Sequence, residues 1–476
     1  MPDQAISARS LSLGLLLFGL LWIVIALMQD FDMAGGAKAI LLLGLAAATV
    51  GATLAVEARP SFGSSLPRKR ESIVEHCDGG TMDSRLRGND EKEKVSAVLM
   101  AGLGLMLAVL AALTPSRLSL AETVAMAAIA AVPMITRALG VRDLVRLDRL
   151  PAILTAMCVA LALNRLRIVL GYLHVPEMED IGTTTIAAVH AVVSRHNPYA
   201  APIDMHPEYP DYPGYKYLPM MMAAYAPLSA AWGETGLRLT NLLLDMGMSA
   251  SIFWSAMRIR GPVAGMFALT AWLMLPVLPR DIYKHGVTDL APVLPLVVAL
   301  AISDTRLGRA GLLIGLSVAA KLFPGLLMAL CCLRRRHIIY YFAGGIVGIL
   351  PAVAFYLWDP AAFTRNVFLF ILSRPMDETS WMFGMPPIVP AVAKLAYFLF
   401  LLAVLTYLAV ASPDMVRRCG LIVLCVIGAL LTGPDAHNNY MIWWVPFFCI
   451  LLGSLVSSMI SNPRRIEPRI APMIGQ

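Results

Sequence analysis

The stretch from Glu177 to Leu228 reads EMEDIGTTTIAAVHAVVSRHNPYAAPIDMHPEYPDYPGYKYLPMMMAAYAPL. It is the longest polar interruption that also carries a compact set of acids, histidines, tyrosines and prolines. An apolar run of span length, Pro151–Tyr172, ends just before it, and a second begins at Tyr217-Leu218-Pro219 inside it. Between them lie an acidic mouth at Glu177, Glu179 and Asp180, a half-apolar segment, a turn at Asn197-Pro198-Tyr199 and an aromatic, proline-rich loop. This order predicts chemistry at a membrane surface.

Outward from this stretch the chain is apolar. Of 476 residues, 58% are hydrophobic and 14% charged, whereas ordinary soluble domains carry about 25% charged residues. Mean hydropathy is +0.71. Apolar runs of about 20 residues recur, each able to cross a hydrocarbon core of about 30 Å. Backbone groups in lipid must bond within helices or closed barrels, and runs this long and apolar all round are not the alternating strands of a barrel. The predicted fold is therefore an all-α polytopic membrane protein of roughly fourteen transmembrane helices, with an outer-face catalytic loop that contains an interfacial helix.

The segments follow in order. Residues 1–56 form an N-terminal transmembrane hairpin, read as retained because no small-residue cleavage site follows the first apolar run. Residues 57–96 are polar with no apolar period and predict a disordered cytoplasmic insert. Its LPRKRES and DSRLRGND stretches look like a translated inverted-repeat element. Residues 97–150 give a second hairpin and a basic loop, 151–460 the main transmembrane core, and 461–476 a cytoplasmic tail. Within the core the predicted spans after the polar stretch include Tyr217–Trp232, Leu237–Met257, Pro262–Leu278, Leu290–Ile302 and Ala310–Leu330.

Charge distribution sets the orientation. Arginines crowd the loop of Arg137, Arg142, Arg146 and Arg149, and also Arg334–Arg336, Arg417–Arg418 and the tail at Arg464, Arg465 and Arg469. With those loops cytoplasmic, both termini are inside, and Glu177–Lys216, Trp358–Pro387 and Gly433–Asn439 share the outer face. Alternation puts Arg280–Thr288 inside, although Pro276, Pro279 and Gly286 around it are signs of broken helices that can reach an internal cavity. The net charge of +7 belongs to these loops and points to no nucleic-acid partner. Seven cysteines form no spaced framework. Cys158, Cys331, Cys332, Cys425 and Cys449 fall in apolar runs as small core residues.

Several residues carry candidate chemistry. Asp180 closes the outer end of the Pro151–Tyr172 span, at the N-cap of an interfacial helix over Ile181–Val193. A capping role explains Asp180 alone. The company of Tyr199, Lys216 and Tyr217 favours a functional acid. Arg165 and Arg167 sit in the outer half of their span, where they either snorkel or face a cavity. Lys321 lies mid-span in AAKLFP, too deep to snorkel easily, which favours function or a buried ion pair. Lys216, Lys284 and His285 stand near span ends. His437, with Tyr440 close by, opens the last span. No HExxH, CxxC, P-loop or GxGxxG context appears, so neither a metal nor a cofactor is predicted.

At these residues the chain resembles the polyprenol-phosphate-sugar-dependent membrane glycosyltransferases, and most of all glycosyltransferase family 87, the alpha-mannosyltransferase-like group with a C-type glycosyltransferase fold. The resemblance rests on the acid at Asp180, HNPYA at 196–200, YKYLPMMMAAYAPL at 215–228, GLLIGLSVAAKLFPGLLMALCCLRRR at 311–336 and HNNYMIWWVPF at 437–447. It covers about Ala152 to Ser457 and leaves the first four spans as an extension. It implies a catalytic acid in the first large outer loop, at Asp180. It also implies a polyprenyl-phosphate sugar donor, a lipid or glycan acceptor, and a place in the bacterial inner membrane. Thr184 or Thr185 stands where an aromatic residue often follows the acid in the family. Two other readings stay open: a transporter or lipid flippase, which internal repeats would favour although none is visible, and a polysaccharide ligase or polymerase.

Overall fold

The computed structural model describes residues 150–173, 175, 178–203, 211–273, 278–322, 338–374, 376, 380, 382–411, 413–433 and 438–460. The first four predicted spans, the insert at 57–96, His437 and the tail lie outside these residues. Every element among the described residues is a helix.

Helix α1, Leu150–Tyr172, has proline in its first turn, where the missing N–H costs nothing. Helix α2, Asp180–Val193, follows an extended Glu179. Helix α3, Pro219–Arg260, starts on Pro219 and breaks at Gly233, where φ is 52° and ψ −125°. The break folds the helix back on itself. A Cβ on Gly236 would strike the carbonyl of Leu228, and the Tyr225 hydroxyl reaches Asn241 Oδ1 across the hairpin at 2.6 Å. The short arm is thus 219–232 and the long arm 234–260. Gly261, at φ 86°, turns the chain into α4, Pro262–Leu273. A π-helical turn, Leu278–Lys284, leads to α5, Leu290–Ile302. Then come α6, Leu307–Val318, α7, Ile338–Trp358, and α8, Pro360–Ser373, bent from α7 by 119°. Helix α9 is Ile388–Ala411, and α10, Met415–Thr432, is capped by Asp414, whose carboxylate accepts the Arg417 N–H. A 3₁₀ turn, Asn438–Trp443, precedes α11, Val445–Ile460.

Cross-contacts define two ends. At one, the arginine end, Arg418 donates to Ser303 Oγ and Asp304, both at 2.8 Å. There Arg258 also reaches the Ala301 carbonyl, and Ser457 the Arg260 carbonyl. At the other, the acid end, Asn366 joins Gly214 and the Tyr199 carbonyl, Ser373 reaches the Tyr212 hydroxyl and Ser380 the Gly433 carbonyl. Residues of all three polar segments assigned to one face by charge alternation therefore gather at one end.

Lipid offers helices little hydrophobic reason to associate, so close packing and polar contacts hold them. The α6–α7 pair shows this. Cβ atoms on Gly315, Gly344 and Gly348 would each strike backbone of the partner helix, Gly348 meeting Gly315 Cα at 2.6 Å. The pairing of Gly308 with Gly344 and of Gly315 with Gly348 makes the two helices parallel. A large core centres on α5, with Val293, Leu296, Val297 and Leu300 packed against α10, α11 and Trp272. The free cysteines Cys158, Cys419, Cys425 and Cys449 are buried.

Leu154–Tyr172, Ile388–Ala411 and Met415–Thr432 are long and apolar enough to cross a membrane, and the bent pair Phe342–Trp358 with Pro360–Ser373 makes up to four such spans. Helices of this kind make a multi-pass membrane protein. Of the predicted spans between Tyr217 and Leu330, Leu237–Met257 falls within the long arm of α3 and Leu290–Ile302 coincides with α5, whereas two others take another form. Tyr217–Trp232 is the short arm of a hairpin and not a separate span, because both its ends stand at the acid end: the Leu218 N–H bonds the Ala320 carbonyl beside Lys321, and Thr235, just past Gly233, bonds the Leu173 carbonyl. Helix α6 ends at Val318 and so is shorter than Ala310–Leu330. Helices α5 and α6 have 13 and 12 residues, a length of about 20 Å at 1.5 Å per residue. The placement of Arg280–Thr288 is corrected too. Glu179 N–H bonds to the His285 carbonyl at 2.8 Å, so this segment stands at the acid end, opposite to where alternation put it. The short arm removes one crossing, and the π-turn with Gly286, at φ 71°, brings the loop beside the acid.

Candidate active site at the acid end

Asp180 is exposed at the first turn of α2. The cap position itself falls to Glu179, which makes no side-chain cap bond. Asp180 sits one residue later, and its Oδ1 accepts the Ile181 N–H at 2.8 Å. Its negative charge suits a helix N-terminus. Its carbonyl accepts the Thr184 hydroxyl at 2.7 Å, so Thr184 is turned back on the helix. Thr185 reaches the Ile181 carbonyl and the Tyr215 hydroxyl.

Tyr217 links this acid to a second cluster. Burial holds the Tyr217 hydroxyl well above the usual tyrosine pKa, and the nearby charge of Asp180, then Tyr440, Asp289 and Tyr215, pushes it the same way. Asp180, Tyr217, Tyr440 and Asp289 thus share one electrostatic neighbourhood. Lys321 lies at its centre. Its Nζ donates to Asp289 Oδ1 at 2.7 Å, with side-chain exposures of 15% for the lysine and 0% for the aspartate. Trp443 Nε1 donates to the same oxygen at 3.0 Å. The ammonium also lies 5.3, 5.2 and 5.4 Å from the ring centres of Tyr217, Tyr440 and Trp443, within cation–π range. Asp289 immediately precedes α5, where the helix N-terminus favours its charge. Lys321 is thus the partner in a buried ion pair.

The other predicted residues occupy distinct places. Tyr199 is fully buried, with its hydroxyl on the Tyr217 carbonyl at 2.9 Å and its ring against Tyr215, Phe355 and Phe363. It fixes the loop from inside. The carbonyl of Tyr199 lies where a Cβ on Gly214 would go, so the loop closes only on glycine. Lys216 Nζ stands 4.4 Å from the ring centre of Phe370. His285 Nδ1 is 3.4 Å from Glu179 Oε1, and the carbonyl of neighbouring Lys284 accepts from Arg238.

Arg165 does not snorkel. It is buried and paired with Asp245 at 3.0 Å, and also donates to the carbonyls of Trp272 and Leu273. Trp272 Nε1 and the Tyr283 hydroxyl complete the Asp245 shell at 2.8 and 2.6 Å. Arg167, two residues on, is exposed. The structure therefore groups Asp180, Tyr217, Lys321 and Tyr440, and sets Arg165 in a separate buried pair.

Sequence reading missed Asp289, Trp443, Asp245, Arg238 and Asn241. The two aspartates had a signal, since an acid within an apolar stretch calls for a cation. Pairing each buried cation with such an acid would have proposed both. Among the described residues no three His, Cys, Asp or Glu side chains group closely enough to hold a metal ion. Comparison of the chain with protein-family models, with curated proteins and with solved structures finds no match.

Proposed function

We propose that this chain is an integral membrane glycosyltransferase that moves a sugar from a polyprenyl-phosphate donor to a lipid or glycan acceptor at the outer face of a bacterial inner membrane. The observation that carries the proposal is the caged Lys321–Asp289 pair at one end of a membrane bundle, joined to the helix that Asp180 heads by the Tyr217 ring packed on Tyr215, which Thr185 bonds. In this reading a polytopic helical bundle encloses the site, with both termini cytoplasmic.

A sugar on a lipid phosphate already carries its leaving group. Transfer needs a base at the acceptor hydroxyl and positive charge at the departing phosphate. Asp180, exposed at the head of α2, takes the proton. The acceptor oxygen then bonds to the anomeric carbon as the bond to the phosphate oxygen breaks, and the phosphate leaves with the electron pair. One base acting opposite the leaving group inverts the anomeric centre. Lys321 meets the phosphate by exchanging part of its contact with Asp289. Its aromatic cage keeps the ammonium in place during that exchange.

The test is transfer by purified protein in lipid nanodiscs, with a panel of labelled polyprenyl-phosphate sugars and candidate acceptors. Transfer that is lost in Asp180→Asn supports the proposal. No sugar released or transferred from any donor overturns it.

A further inference from the structure

Arg238, Asn241 and Asp245 stand at i, i+3 and i+7 on the long arm of α3, and so on one face of it. All are buried, at 1%, 0% and 2% exposure. Each directs polar atoms at the segment Ile282–Val287. Asn241 Nδ2 donates to the Ile282 and Val287 carbonyls at 2.9 and 3.0 Å, and Asp245 accepts the Tyr283 hydroxyl. Arg238 does something more. Its Nε donates to the Tyr283 carbonyl at 2.9 Å, while its Nη2 donates to the Val175 carbonyl at 2.7 Å. One guanidinium thus ties the chain just before Asp180 to the π-turn.

The tied segment touches both halves of the site. His285 is joined to Glu179 through backbone and side chain, and Asp180 follows Glu179. Four residues beyond His285, Asp289 holds Lys321. A π-turn followed by a left-handed glycine leaves carbonyls without helical partners, and buried carbonyls need partners. The polar face of α3 supplies them, so the segment has one position and not several.

We propose that Arg238 is a positioning residue: by clamping Val175 to the π-turn it sets where Asp180 stands relative to the Lys321–Asp289 pair. The proposal rests on the reading of Asp180 and Lys321 given above, and extends it to a side chain that touches neither the donor nor the acceptor.

The experiment has two readouts. The first is the rate of oxidative cross-linking of the pair Glu179→Cys and His285→Cys in full-length protein, with Cys77, Cys331 and Cys332 replaced by serine. It needs no substrate. Because disulfides demand close Cβ atoms, Arg238→Met should slow it on the order of tenfold. The second is kinetics of the single variant with native Glu179 and His285. Misplacing a base by an ångström can cost about 10²-fold, so kcat should fall by that order with donor KM little changed. Arg238→Lys should restore part of both, and it replaces the Met variant if that variant does not fold. Glu234→Gln, at the exposed partner of Arg238, should change neither. Unchanged cross-linking in a folded Arg238 variant overturns the clamp. Slowed cross-linking with normal kcat overturns its bearing on the reaction. If the parent transfers no sugar at all, the glycosyltransferase reading fails, while the cross-linking still decides whether the clamp exists.

Discussion

Removing Lys321 alone leaves the Asp289 carboxylate buried without its ammonium partner. Breaking a buried pair from one side costs about 3–5 kcal/mol, so Lys321→Met should lower thermal stability in detergent clearly. Adding Asp289→Asn should recover much of that loss. If the two substitutions are simply additive, the pair is not coupled as its geometry indicates. The double variant then isolates function: with stability recovered, donor binding should remain weak, because the phosphate has lost its cation. Asp180→Asn asks a different question. Asn serves a helix N-terminus about as well as Asp, so stability should hold, whereas loss of a general base should reduce turnover by about 10²–10⁴-fold. Glu177→Gln and Glu179→Gln are the controls, and collapse of turnover in either one, with Asp180→Asn near normal, would move the role to that neighbour.

Among the elements, the α6–α7 contact is the most sensitive to volume. A single methyl on Gly348 meets the backbone of Gly315, which cannot move aside as a side chain can. Overpacking of this kind costs about 1–3 kcal/mol, and Gly348→Ala should lower the unfolding midpoint accordingly. Gly308→Ala, with open space around it, is the internal control. Much of the helical pattern was legible from hydropathy, since the predicted span Leu290–Ile302 and helix α5 coincide. The place of Asp180 at the head of a helix was legible as well, because an acid opening a half-apolar helix is a local pattern. The reversal at Gly233 was not. GETG between two apolar runs reads equally as a loop joining two spans, and only the placing of both ends of the short arm at the acid end, by Leu218 on the Ala320 carbonyl and Thr235 on the Leu173 carbonyl, separates it from a crossing. Asp289 and Lys321 lie 32 residues apart and Arg165 and Asp245 lie 80 apart, so no local pattern could join them.

At the scale of the whole molecule, the two ends make a direct prediction for labelling. In protein with Cys77, Cys331 and Cys332 replaced, a thiol at the exposed position of Pro202 and one at Lys284 should react with an impermeant reagent from the same side of the membrane. A thiol at Thr305, exposed beside the Arg418 clamp, should react only from the other. Simple alternation along the hydropathy profile predicts the reverse for both Lys284 and Thr305, so these two sites separate the two arrangements. The arginine clusters still assign the cytoplasmic side, because alternation and structure diverge only over the connections between Gly233 and Leu307, and Arg418 stands at the end that holds Asp304.

Gly233 and Gly236 stand three residues apart at the same hairpin, yet saturation mutagenesis should give them unlike spectra. Nothing lies within 4 Å of a Cβ placed on Gly233, but its φ is +52°. With ψ at −125° it lies far from the left-handed helical region that excuses asparagine. Alanine, serine, asparagine and leucine should therefore be penalised alike, since the cost sits in the backbone. Gly236 has ordinary φ and faces the Leu228 carbonyl and the Ser229 nitrogen, so its penalty should climb with side-chain volume. A flat profile beside a graded one would mark the reversal in the chain genetically, with no structure in hand.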